Sequence, residues 1–211
     1  MNLKCFRQRK SQLHHTFARS VPIGFSSFGL SLVGFLLLTL PQLSQADVPF
    51  ELPSPEALAR VRSGVIQTQK GEIFFVLFPE DAPWHVANFK YLADKGFYKG
   101  KEFHIVEKGY IVQGGRAPGT LPDSPGYSLP PEFNSHKHNP GTLGMARFAD
   151  SLNPERRSHG RQFHILLRDA PHMDGAFTVF GQVVRGMHVV ELLEPGDRIE
   201  NVVVYVQPEK E

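Results

Sequence analysis

Two apolar runs, residues 65–69 and 72–78, are broken by Lys70-Gly71. Two short runs with a turn-forming pair between them predict a β-hairpin. The pattern then changes. Val86, Phe89 and Leu92 or Ala93 recur at helical spacing, Pro83 stands in the first turn and Gly96 ends the run. This predicts one amphipathic helix with Asp81 as its N-cap. Shorter apolar runs follow near residues 103–106, 110–113, 142–146, 162–167, 178–184 and 199–206, separated by Gly- and Pro-rich turns. Many short strands of this kind predict a closed barrel or a sandwich. A second short helix is expected over 187–193, and a further short one over 56–62. Two loops stand apart, 116–133 and 148–160. The second carries Arg156, Arg157 and His159 and reads as a solvated charged loop. There is no internal repeat.

The chain has 211 residues, which suits one domain with an extra segment. Its formal charge of +2 is unevenly placed. Residues 1–46 hold Lys4, Arg7, Arg9, Lys10 and Arg19 and no acidic side chain, so the remainder is mildly acidic and offers no electrostatic footprint for nucleic acid. The same segment has a basic start, an apolar run over 28–40 and Ser44-Gln45-Ala46, the layout of a secretory signal cleaved after Ala46. The rival reading is an uncleaved anchor, because residues 21–40 are uncharged and long enough to span a bilayer. Glycine and serine dilute that run and favour cleavage. The one cysteine, Cys5, lies in this segment, so the cleaved protein would form no disulfide of its own. The expected organisation is a signal over 1–46, a Pro-rich leader over 47–63 and one domain over 64–207. The expected protein is exported, periplasmic or secreted with an organelle lumen as the alternative, is monomeric, and touches no membrane once cleaved.

The stretch FHIVEKGYIVQGG, residues 103–115, places two apolar runs around Lys108-Gly109 and closes on a glycine pair. Tyr110, Ile111 and Gln113 combine apolar surface with a neutral donor and acceptor, a set suited to an uncharged amide rather than an anion. Taken alone it reads equally as a plain hairpin. His136, His138 and His159 raise the possibility of a metal site, but no cysteine accompanies them and no zinc-type spacing appears. They read as solvent-exposed loop histidines, and no metal or cofactor is expected.

Three later stretches complete a pattern with the first: GTLGMAR at 141–147, RQFHIL at 161–166 and MDGAFTVFGQVVRGM at 173–187. In this order the four blocks resemble a cyclophilin, over about residues 64–206. The resemblance implies a mostly β fold, a closed eight-stranded antiparallel barrel capped by two α-helices, and peptidyl-prolyl cis-trans isomerase activity on proline-containing polypeptides, with no cofactor. It also implies roles for single residues. Gln113 and Gln162 would hold the substrate backbone, and Ala146 would pair with the bound peptide through its own backbone. Tyr110, Ile111, Met173 and Phe177 would line the proline pocket, and Arg147 would stand beside Ala146.

The sequence departs from the family at three places. Ile105 occupies the position of the catalytic arginine that follows Phe-His, and isoleucine donates no hydrogen bond. His164 and His172 stand where the pocket floor and pocket edge are aromatic and apolar. His164 should then make affinity for proline peptides fall below about pH 6.5. The expected enzyme is an isomerase of reduced activity, with Arg147 or Arg161 as substitute donors. The alternative is a module that binds proline segments without turning them over.

Overall fold

The computed structural model describes residues 48–119 and 126–208, all within the second of two units of the chain, Gln42–Glu211. The expected signal segment lies outside the described residues. The first hairpin forms around Lys70-Gly71, from β1 (Val61–Thr68) and β2 (Gly71–Leu77). Its turn is closed by Thr68, whose hydroxyl accepts from the Lys70 N–H and donates to the Gly71 carbonyl. The remaining strands are β3 (Glu102–Glu107), β4 (Ile111–Arg116), β5 (Ser128–Leu129), β6 (Thr142–Met145), β7 (Ser158–His159), β8 (Phe163–Leu166), β9 (Val179–Arg185) and β10 (Ile199–Val206). Eight of them form one antiparallel sheet in the order β10-β1-β2-β9-β6-β8-β4-β3, while β5 and β7 pair separately.

The sheet is open, not the closed barrel expected. Its edge strands β3 and β10 share no ladder. An isolated bridge between Glu102 and Arg198 spans the gap at one end, helped by backbone bonds such as Phe103 N–H to the Asp197 carbonyl at 2.9 Å. The loop over 148–160 is not a free solvated segment either. Arg157 donates to the Ser128 hydroxyl at 2.7 Å and to its carbonyl at 2.9 Å, which fixes the β5–β7 pair.

Three α-helices and one 3₁₀ turn accompany the strands: α1 (Pro55–Leu58), α2 (Pro83–Asp94), α3 (Met187–Leu192) and the turn Pro171–Met173. The N-cap of α2 is Ala82, not Asp81, and it gives no side-chain cap. Glu132 supplies the missing acceptor from a distant loop. Its carboxylate takes the Trp84 and His85 N–H groups at 2.9 and 3.0 Å, an anion at the positive end of the helix. Asp81 instead pairs with His136 at 2.9 Å.

The core is aromatic. Phe89 on α2 meets Phe75 and Phe163 edge to face, with centroids 5.7 and 5.5 Å apart, and Phe180 and Tyr98 complete the group. Each such ring contributes about 1.5–3 kcal/mol through burial alone. The leader joins this core. β1 begins at Val61, ahead of the expected domain start at 64, and both Leu58 and Val61 are only 3% exposed. Phe50 packs against Trp84 and Tyr91 on α2, walling a cavity of about 340 Å³ that Leu58 and Val206 also line.

Candidate functional site

The β3–β4 hairpin carries the first half of the site. Its tip turns at Gly109, at φ +70°, and Lys108 fastens the tip by donating to the Glu191 and Leu193 carbonyls at the end of α3. Val112 and Gly114 face the core, so Ile111 and Gln113 face outward. Ile105 lies directly opposite Gln113 in the register and is 39% exposed. The Gln113 amide donates to the Gln162 Oε1 at 2.9 Å and lies 3.4 Å from His104 Nε2. These two glutamines, from β4 and the entry to β8, form a neutral polar pair on the outer face.

Beside them is an apolar cluster separate from the main core. Leu166, Ala170 and Met173 are buried, and Tyr110, Ile111 and Phe177 pack on them from outside. The 3₁₀ turn places Met173 here. The Tyr110 hydroxyl lies 3.1 Å from His172 Nε2, and Arg168 stacks on the Tyr110 ring at 4.5 Å. The structure thus brings together Tyr110, Ile111, Gln113, Gln162, Met173 and Phe177, with Ile105 and His172 at the margins.

Several expected roles change. His164 lies beneath the cluster, 1% exposed, with its ring against Gly144 and Phe177. Burial pushes its pKa down to about 3. It therefore stays neutral across ordinary pH, and the expected loss of affinity below pH 6.5 does not follow from it. The backbone of Ala146 is engaged within the fold. Its N–H already donates to the Gln162 carbonyl at 3.0 Å and its carbonyl accepts from His159 N–H at 2.7 Å.

Neither arginine named as a substitute donor is aimed at the glutamines. The Arg147 guanidinium stacks on Phe177 at 4.4 Å and donates to the Ala176 and Phe148 carbonyls and to Asp150. Arg161 lies over Phe97 and against Gly126.

Two of the loop histidines, His138 and His159, are buried and not solvent-exposed as expected. His138 is buried beside Asp174, whose carboxylate accepts from its N–H at 3.0 Å and lies 2.9 Å from its ring Nδ1. His138's side-chain and backbone hydrogen bonds hold that carboxyl at about 2. His159 Nδ1 accepts from the Arg161 and Gln162 N–H groups. His136 stacks on Phe78. Among the described residues no three His, Cys, Asp or Glu side chains are grouped to hold a metal ion.

The family described as "Cyclophilin type peptidyl-prolyl cis-trans isomerase/CLD" matches residues 64–208. The chain belongs to it. A peptidyl-prolyl cis-trans isomerase of Helicobacter pylori is 40% identical over 152 residues, covering 70% of this chain and 90% of that protein. Peptidyl-prolyl cis-trans isomerase B of Bacillus subtilis is 38% identical over 145 residues, covering 67% and 97%. Among solved structures, a Cryptosporidium parvum cyclophilin-type isomerase superposes with a TM-score of 0.61 at 26% identity, covering 70% of this chain and 99% of its own. The same protein was solved in the presence of the dipeptide Ala-Pro, with a TM-score of 0.57 at 25% identity. In this cyclophilin-type isomerase the glutamine pair lies beside the apolar cluster. Position 105 carries no donor.

Proposed function

We propose that this cyclophilin-type enzyme binds proline-containing segments normally and isomerises them slowly. Rotation about a prolyl amide breaks its resonance, against a barrier of about 18–20 kcal/mol for peptide bonds, and the twisted state localises a lone pair on nitrogen. The apolar cluster of Met173, Phe177, Tyr110 and Ile111 would take the ring out of water, and the Gln113–Gln162 pair would hold the flanking carbonyl. The N–H and C=O of Arg147 make none of the backbone bonds that engage Ala146, so they offer the peptide its pairing edge. The observation that carries the reduced rate is Ile105, exposed opposite Gln113 where a donor would face the prolyl nitrogen. Loss of one transition-state donor costs about 10²–10³ in rate, which leaves weak activity.

Turnover and binding of one proline peptide, measured on the parent and Ile105→Arg, test this. Ile105→Arg should raise kcat by up to about 10²-fold with little change in Kd, because the added bond forms chiefly in the twisted state. A parent already as fast as its relatives, unchanged by Ile105→Arg, overturns the proposal. A parent that binds and shows no turnover at all marks a pure binding module, the reading that an assembled pocket without a donor also supports.

The proposed setting is outside the cytoplasm, acting on exported proteins. It is supported by the basic start, apolar run and Ser44-Gln45-Ala46 of the N-terminal segment. N-terminal sequencing of the fractionated protein should find a chain starting at Asp47. A full-length chain in the membrane fraction would show an anchor instead.

A further inference from the structure

One cation in the groove has no use in the fold. Phe103 opposes Gly114 in the register and Glu102 opposes Arg116, so Gly115 is skipped as a bulge. Its backbone sits at φ +103°, and a Cβ there would fall 2.4 Å from the Arg161 carbonyl oxygen, so only glycine fits. The extra residue resets the alternation and returns Arg116 to the outward face shared by Ile105 and Gln113. There its Nε is buried without a partner. Among the described residues Arg116 makes no side-chain hydrogen bond and no ion pair, although Glu102 stands across from it. Its charge is nevertheless felt in the site. After burial it is the largest influence lowering the pKa of His104, the ring that touches Gln113.

A guanidinium with no anion beside it leaves its planar fork open to a carboxylate. The order along β4 is Ile111 at the apolar cluster, Gln113 at the polar pair and Arg116 at the far end. At about 3.3 Å per residue, and with one position absorbed by the bulge, an extended peptide with its proline at Ile111 passes the Arg116 backbone about four residues away from that proline, and the length of the arginine side chain brings residues about two to four away within its reach. Resting on the proline-binding reading above, we infer that Arg116 is a specificity-determining residue that selects proline segments bearing an acidic side chain two to four residues from the proline, on the side that runs past Gln113.

The test is a charge scan with the full chain. Labelled Ala-rich peptides with one central proline carry Glu, Gln or Lys singly at each of the four positions on either side, at low and high salt. On one side only, Glu should bind about three- to tenfold tighter than Gln, with Lys weaker, and added salt should shrink the difference. Arg116→Gln should abolish the preference and Arg116→Glu should turn it toward Lys. Equal binding of Glu and Gln peptides at every position of the parent overturns the inference without reference to any variant. So does a preference that survives in a folded Arg116→Gln protein. Replacing the central proline with alanine separates the two readings: if binding is unchanged, the proline pocket fails, whatever the charge scan shows.

Discussion

Around Phe89 the neighbours are Phe75, Phe163, Phe180 and Tyr98; around Phe177 they are His138, His164 and the guanidinium of Arg147. Both groups pack rings edge to face over a buried base. The first is hydrocarbon but for the Tyr98 hydroxyl, which is buried without a hydrogen-bond partner. The second leaves the Nε2 atoms of His138 and His164 buried without hydrogen-bond partners. A buried unpaired polar atom costs about 1–3 kcal/mol, so such atoms weigh on both regions, and the regions differ in kind: a phenol that burial keeps neutral stands beside Phe89, and imidazoles that acid can charge stand beside Phe177. The difference teaches where the fold responds to acid: the rings around Phe89 give stability that falling pH does not remove, and the imidazoles beneath the groove give stability that it does.

The largest effect should come from the hydrocarbon side. Phe89→Ala removes the ring that contacts four others and leaves a cavity under α2, at a cost of about 3–5 kcal/mol, or a fall in Tm of about 10 °C for a domain of this size. Denaturant titration with a constant m-value checks it. A loss under about 1 kcal/mol would show that the two clusters do not differ in the way described.

The next effect belongs to the groove side and appears with pH. His164 has its pKa lowered to about 3 in the fold against an ordinary value near 6.5, so on acidification the unfolded chain takes up the proton first. Stability from the neutral ring is present above about pH 6.5 and is lost progressively down to about pH 3, amounting to roughly 2–3 kcal/mol by about pH 4.5. In His164→Phe the fall in unfolding free energy over this window should be shallower by that amount, whatever the absolute stability of the variant. What slope remains is shared by His138 and His104, whose pKa values burial also lowers, and by carboxylates held low, such as Asp174. Parallel pH profiles for parent and variant would show that His164 protonates freely and is not buried as described.

The two regions also differ in how far the sequence reveals them. Lys70-Gly71 between two apolar runs and the spacing of Val86, Phe89 and Leu92 are local signals, and the first hairpin and α2 form where they point. The cap on α2 is not local, since Glu132 reaches it from 47 and 48 residues away. The strands β5 and β7 have two residues each, too few to show a period. The opening between β3 and β10 is a matter of how far strands reach, which apolar runs do not encode. In the groove, alternation places Ile111 and Gln113 on one face correctly. It fails at Gly115, where the bulge returns Arg116 to that face. Its only trace in the sequence is the glycine pair. The engagement of the Ala146 backbone is not legible either, because a matched motif does not show which backbone groups the fold itself uses. His138 looked exposed because its partner, Asp174, is 36 residues on.

The smallest effect concerns Asp150, the exposed carboxylate that joins Arg147 at 2.6 Å and Arg156 at 2.8 Å. Its hydrogen bonds to Arg156 and Arg147 hold its pKa below the ordinary value, so whatever stability they give is present above the usual carboxylate range and lost as pH falls below it. Because the pair is solvent-screened, Asp150→Asn should move Tm by no more than about 2 °C. Its interest lies in turnover. Without Asp150, Arg147 still donates through Nε to Ala176 at 2.7 Å and through NH1 to Phe148 at 2.9 Å, and its guanidinium still rests on Phe177. The side chain, 6% exposed, therefore stays where it is, and kcat of Asp150→Asn should match the parent within about twofold. A rise of tenfold or more would mean that Arg147 is held back from the prolyl nitrogen by Asp150 alone. It would make Arg147 the donor that Ile105 cannot be.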